Sequence, residues 1–186
     1  MDKKISILGF GGSLRKGSYN KALLRAAMEM VPSGAELKVF DLEGMPLFNQ
    51  DLESRPPQIV KDFKAQIRAA DAILIATPEC NYSIPGFLKN AIDNASRPYG
   101  DNAFAGKPAA IMGASIGNQG TSRAQYHLRQ SCVFLDMYLL NRPEVMVPFA
   151  QDKFDANGQL TDQKTKEAIK ELLEALVAWT RKLKRE

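Results

Sequence analysis

Three short stretches concentrate the residue types that could do chemistry. Residues 9–20 carry Ser13, Leu14, Arg15, Ser18, Tyr19 and Asn20 among four glycines. Residues 77–86 carry Glu79, Cys80, Asn81, Tyr82 and Ser83 between Pro78 and Pro85, and residues 113–121 carry Ser115 and Asn118 among small residues. In the first stretch a dinucleotide fingerprint starting at Gly9 needs glycine at position 14, where the chain has Leu14. A triphosphate-cradling loop starting at Gly12 finds Gly17 but then Ser18 in place of its lysine. Both fail, and what remains is a turn rich in hydroxyls and amides at a helix start, with one guanidinium, Arg15. Backbone N–H groups and the positive end of the helix dipole there suit a single terminal phosphate. Four hydrogen bonds to a charged group, at roughly 1.5–3 kcal/mol each, give on the order of 6–12 kcal/mol gross. The plainer alternative is a glycine-rich turn with Ser18 only capping the helix.

The second stretch is stiffened at both ends by proline and can aim backbone amides at the edge of a planar ring. Against an isoalloxazine, such donors tune which redox state is favoured while the ring carries the electrons. A proline-stiffened connection without a ligand is the competing reading. Cys80 is read first as a small buried hydrophobe and second as a thiol in contact with the ligand. The third stretch has little bulk, so a flat ring can approach its backbone. His127, the chain's one histidine, is given a packing or subunit-contact role, because nothing near it in sequence makes a triad.

These stretches need elements to position them. Short apolar runs alternate with long amphipathic segments, the pattern of parallel strands joined by helical crossovers. Strands are expected over 4–9, 36–42, 72–76, 109–113 and 144–147. Helices are expected over 19–30, 58–70, 85–95 with Pro85 at the first helical position, 121–135 and 161–184. Ile169, Leu172, Leu173, Leu176 and Thr180 share one face of the last helix, which should cover the sheet with Trp179 at its rim. The polar segment 49–57, ending in Pro56 and Pro57, reads as a surface loop. The expectation is one α/β domain over 1–186, a doubly wound five-stranded parallel sheet. In such sheets ligands sit beyond the carboxyl ends of the strands, where all three stretches fall.

Composition removes other classes. Two cysteines without a Cys-x-x-Cys pair exclude zinc ribbons, iron–sulfur clusters and disulfide scaffolds, and point to a reduced, cytoplasmic setting. One histidine cannot build a His metal cluster. Lys3 and Lys4 before an apolar stretch imitate a signal peptide, but Arg15 and Lys16 follow at once, and no apolar run approaches the ~18 residues of a membrane helix. A net charge of +4, with Arg181, Lys182, Lys184 and Arg185 its dense cluster, suits a small anionic ligand better than nucleic acid.

The chain resembles the NAD(P)H-dependent FMN reductases of flavodoxin-like fold, in the branch that contains quinone and chromate reductases. The likeness spans nearly the whole chain. It is carried by Gly12-Ser13-Leu14-Arg15-Lys16-Gly17-Ser18-Tyr19-Asn20, Pro78-Glu79-Cys80-Asn81-Tyr82-Ser83, Leu88-Lys89-Asn90-Ala91-Ile92-Asp93 and Arg123-Ala124-Gln125-Tyr126-His127-Leu128-Arg129-Gln130. The resemblance implies strand order 2-1-3-4-5. It implies that Ser13, Arg15, Ser18 and Asn20 bind the FMN phosphate, that Glu79, Cys80, Asn81 and Tyr82 border the isoalloxazine, that Ser115 approaches it from the third loop, and that Leu14, Tyr19 and Pro78 are further cofactor-binding residues. NAD(P)H would be the co-substrate and a quinone, a similar aromatic acceptor or an oxidised metal ion the electron acceptor, with no side chain needed as catalytic acid or nucleophile. Homodimers or homotetramers, with the flavin beside the subunit boundary, are implied as partners. Cys80 stands where the family commonly has tyrosine and Asn94 where it has tryptophan, which should open and polarise the flavin's surroundings. A flavodoxin-like electron carrier or flavin-sensing module is the alternative. Small carriers of this fold tend to dock through acidic surfaces, whereas this chain is net basic.

Overall fold

The computed structural model describes residues 4–184; Lys3 and Arg185 lie outside the described residues. Strand β1 (Ile5–Gly11) leads into helix α1 (Tyr19–Glu29), β2 (Ala35–Val39) into α2 (Gln58–Ala69), β3 (Ala72–Ala76) into α3 (Gly86–Ser96), and β4 (Pro108–Ala114) into α4 (Ser122–Phe134). Two short strands follow, β5 (Tyr138–Leu139) and β6 (Val145–Val147), and then the long helix α5 (Gln163–Leu183). The sheet order is β2-β1-β3-β4-β5, with β6 also paired to β4. Every pairing is parallel.

The central strands β1, β3 and β4 are buried on both faces, so their successive side chains feed two separate cores. Ala72, Leu74 and Ala76 of β3 pack with Leu23, Ala27, Ile169, Leu173 and Leu176, which places α1 and α5 on one face. Ile73 and Ile75 pack with Val60, Phe63, Ile67, Leu88, Ile92 and Leu128, which places α2, α3 and α4 on the other. The expected α5 face is the buried one. Trp179 is half-buried at the sheet's rim, its indole Nε1 donating to the Tyr138 carbonyl at 2.9 Å.

Among the described residues six strands form where five were expected, because the outer strand is broken. Tyr138 and Leu139 pair with Pro108 and Ala109 at one end of β4, and Val145, Met146 and Val147 pair with Met112, Gly113 and Ala114 at the other. Between them lies Pro143, which has no N–H to give a ladder. Pro85 also differs from expectation: it is the cap of α3, and Gly86 is the first helical residue. Segment 49–57 is a largely exposed connection holding one short turn of 3₁₀ helix, Gln50–Leu52.

Candidate active site

Close backbone approaches bring the three loops together beyond the carboxyl edge of β1, β3 and β4. Gly12 donates its N–H to the Ala76 carbonyl at 2.9 Å. A Cβ at Gly12 would stand 3.0 Å from Leu88 Cβ and 3.3 Å from Pro78 Cδ, so glycine lets the first loop lie against the second. Gly113 has the same role between the second loop and the third, since a Cβ there would collide with the Thr77 carbonyl and the Thr121 hydroxyl. Asn20 joins the first loop to the third. Its Nδ2 donates to the Ala114 carbonyl and its Oδ1 accepts from the Ala114 N–H, both at 2.9 Å.

In the first loop Ser18 caps α1, its hydroxyl accepting from the Lys21 N–H at 3.3 Å. Ser13 Oγ accepts from the Arg15 N–H at 3.4 Å, and the Arg15 guanidinium donates to the Gly17 carbonyl at 2.7 Å, 5.4 Å from the Tyr19 ring centre. Leu14, Arg15, Lys16 and Gly17 are exposed. The backbone amides of Ser13, Leu14, Lys16, Gly17, Tyr19 and Asn20 donate to nothing among the described residues. Neither Arg15 nor Lys16 forms an ion pair among them. Unspent N–H groups at a helix start beside two cations that form no ion pair among the described residues have the character of an anion cradle. The donor set therefore fits the phosphate of FMN. Asn20 is buried with its carboxamide engaged on β4, so its place in the cradle is positional and its free group there is the backbone amide.

The second loop is a tight turn. Cys80 and Ser83 exchange both backbone hydrogen bonds at 2.9 Å, with Asn81 at φ 49° and Tyr82 at φ 66°. Left-handed backbone at two successive non-glycine residues carries strain of the kind that clusters at functional sites. It leaves the Asn81 and Tyr82 amides without partners among the described residues, as donors for the edge of a ring. Pro78 is half-buried against the first loop. Cys80 is exposed, so the reading of it as a buried hydrophobe is corrected; the buried thiol is Cys132, whose pKa is pushed up to about 12 by burial.

Glu79 reaches the start of α4 with its carboxylate. Oε2 accepts from the Arg123 and Ala124 amides at 3.1 and 3.3 Å, and Oε1 accepts from Arg123 Nε at 2.8 Å. The Arg123 guanidinium lies 3.6 Å from the Tyr82 ring centre. Of the two readings given to His127, packing or subunit contact, the packing one is corrected: His127 is exposed, with Nδ1 2.9 Å from Ser83 Oγ. In the third loop Ser115 is tied to the sheet's outer edge. Its N–H donates to the Val147 carbonyl, its carbonyl accepts from the Ala150 N–H, and its hydroxyl accepts from the Gly117 N–H at 3.1 Å. Asn94 is not among these loops. On α3 it donates to the Pro46 and Asn90 carbonyls, beside a cavity of about 290 Å³ lined also by Phe48 and Arg97. Of the two departures from the family pattern, only Cys80 falls in a loop of the site.

The model of the NADPH-dependent FMN reductase family matches residues 5–152. The chain belongs to that family. It is 55% identical over 185 residues to an NAD(P)H-dependent FMN reductase of Pseudomonas aeruginosa, covering 99% of this chain and 100% of that protein. It is 44% identical over 170 residues to a 2-hydroxy-1,4-benzoquinone reductase of a Burkholderia species, covering 91% and 93%. The solved structure of FerB, a flavoenzyme NAD(P)H:(acceptor) oxidoreductase from Paracoccus denitrificans, superimposes with a TM-score of 0.87 at 35% identity, covering 96% and 98%. The family model ends at the short 3₁₀ turn Ala150–Asp152, so α5 lies outside it. Within FMN reductase sequences, the resemblance had marked the segment from Arg123 to Gln130 but had given Arg123 no task. Its partner Glu79 is 44 residues away, and no local spacing rule reaches that far.

Proposed function

We propose that the protein is an FMN-dependent NAD(P)H oxidoreductase that passes electrons to quinones or similar small acceptors, with oxidised metal ions such as chromate as further candidates. FMN bound here would supply the redox chemistry, hydride acceptance from reduced nicotinamide and electron transfer to the acceptor. The chain's own residues bind and orient. The cradle of Ser13, Leu14, Arg15, Ser18, Tyr19 and the Asn20 amide holds the phosphate; the turn from Cys80 to Ser83 offers amides to the ring edge; Ser115 closes the third side. The observation that carries this reading is the set of unspent amides at the start of α1, beside Arg15 and Lys16 and within one ring of loops.

The reading takes 1–186 as one FMN-binding domain, supported by α5 packing on the same core as α1. A homodimer or homotetramer is supported by the exposed stripe on α4, where Tyr126, Val133 and Phe134 are 54%, 81% and 79% exposed. A reduced cytoplasmic setting is supported by the two free thiols. Among the described residues no helix is long and apolar enough to cross a membrane.

The deciding experiment is a visible spectrum of the purified protein before and after anaerobic NADPH, followed by a quinone. A flavin spectrum that bleaches and then returns is the expected result. A colourless protein that rejects added FMN overturns the reading.

A further inference from the structure

We infer that Glu79, held by Arg123, is a positioning residue that fixes the ring-bordering turn through α4; this rests on the FMN site proposed above. Helix α4 begins without a cap of its own. Thr121, at its N-cap, has φ 74° and makes no side-chain capping bond. The amides of Arg123 and Ala124 are taken instead by the Glu79 carboxylate, which reaches in from the loop after β3. Its side chain is only 9% exposed. A carboxylate at a helix N-terminus gains from the helix dipole as well as from its hydrogen bonds, and the Arg123 Nε–H makes a third donor at 2.8 Å.

Glu79 is the residue immediately before the turn. The same helix holds that turn at two more points, the Tyr82 ring under the Arg123 guanidinium and the Ser83 hydroxyl at His127 Nδ1. The turn's own bonds, between Cys80 and Ser83, close it locally but do not fix where it stands. Its place is set from α4. The start of α4 in turn follows Gly120, where a Cβ would stand 2.7 Å from the Met146 carbonyl carbon. The helix start is thus wedged against the sheet's edge, and Glu79 transfers that fixed position to the Asn81 and Tyr82 amides. Arg123 is 39% exposed, so its ion pair alone would count for little. Its weight lies in gripping Glu79 and Tyr82 together.

The test is made on holoenzyme carrying Glu79→Gln, which keeps one acceptor and loses the charge. FMN is expected to stay bound within about threefold of wild type, because the phosphate cradle is untouched. The visible flavin bands and the reduction potential are expected to shift, and kcat with NADPH to fall about tenfold while KM changes less. In the FMN-free chain, amide exchange at Arg123 and Ala124 is expected to rise about tenfold. Should Glu79→Gln not fold, Arg123→Lys carries the same test. Lysine restores the charge but not the planar face over Tyr82, so a smaller shift in the same direction is expected. Wild-type protein that binds FMN while both variants are silent in spectrum, potential, kcat and exchange overturns the role of Glu79 alone. Wild-type protein that rejects FMN overturns the site and this assignment with it, even where the exchange result stands.

Discussion

Asn20 and Ala114, 94 residues apart in sequence, are joined by two hydrogen bonds of 2.9 Å, one in each direction. The pair ties the first turn of α1 to the last residue of β4, and so the proposed phosphate cradle to the loop that carries Ser115. Both groups are buried, and removing the carboxamide orphans a backbone N–H and a C=O at about 1–3 kcal/mol each. Asn20→Ala is expected to lower the stability of the FMN-free chain by about 2–6 kcal/mol in urea unfolding, with an unchanged slope. A loss below about 0.5 kcal/mol would show that water or a rearranged side chain fills the role.

Arg15 is the opposite case. It is exposed, with no ion pair among the described residues and one bond to the Gly17 carbonyl in its own loop. Arg15→Ala is therefore expected to leave apo stability within about 0.5 kcal/mol. FMN affinity should fall by about 1.5–3 kcal/mol, roughly ten- to hundredfold in Kd. The wild-type affinity should also weaken with added salt, and the variant's less so. Fluorescence titration of FMN at two ionic strengths reads both effects, and an unchanged Kd removes Arg15 from the phosphate.

The alternation of strands and helices was legible because the central strands β1, β3 and β4 are buried on both faces and the helices between them on one, so pattern and packing agree. The broken edge strand was not. Tyr138 and Leu139 are a two-residue piece whose pairing depends on β4 lying beside it, and Pro143 interrupts the ladder only once that pairing exists. In the site, chemistry written into contiguous residues could be read: hydroxyls, one guanidinium, glycines and a helix start. The task of Asn20 and Glu79 could not, because their partners at Ala114 and Arg123 are 94 and 44 positions away. An asparagine side chain in a phosphate loop looks like a ligand until its two bonds to β4 are seen, which leave only the backbone amide of Asn20 for the phosphate.

Asp162 caps α5. Its carboxylate accepts from the Thr165 N–H at 2.9 Å and hydroxyl at 2.6 Å, and from the Lys153 ammonium at 2.8 Å. Lys153, followed by the Thr165 hydroxyl, holds its pKa down to about 2 from an ordinary 3.8. The folded chain thus binds this proton less readily than the unfolded one. The contribution is whole above about pH 4 and drains away as pH falls toward 2. Asp162→Ala is expected to cost about 1 kcal/mol at pH 7, the usual worth of a cap. Its gap from wild type should close between about pH 4 and pH 2. A gap that stays constant to pH 2 would mean the cap acts without its charge.

The two thiols differ in a way a reagent can count. Cys132 is buried on α4 with a pKa pushed up to about 12, whereas Cys80 is exposed at the start of the turn proposed to border the ring. Native apo protein is expected to react with one equivalent of a thiol-specific chromogenic disulfide and denatured protein with two, because the thiolate is the nucleophile and burial withholds it. Bound FMN is expected to slow the native reaction about tenfold by covering the turn. Cys80→Tyr restores an aromatic beside the proposed ring, so it should change relative kcat/KM across a series of quinones severalfold while FMN affinity stays within about threefold. Equal labelling rates with and without FMN, together with an unaltered quinone series, would place Cys80 outside the site and move the turn's contact with the ring onto backbone alone.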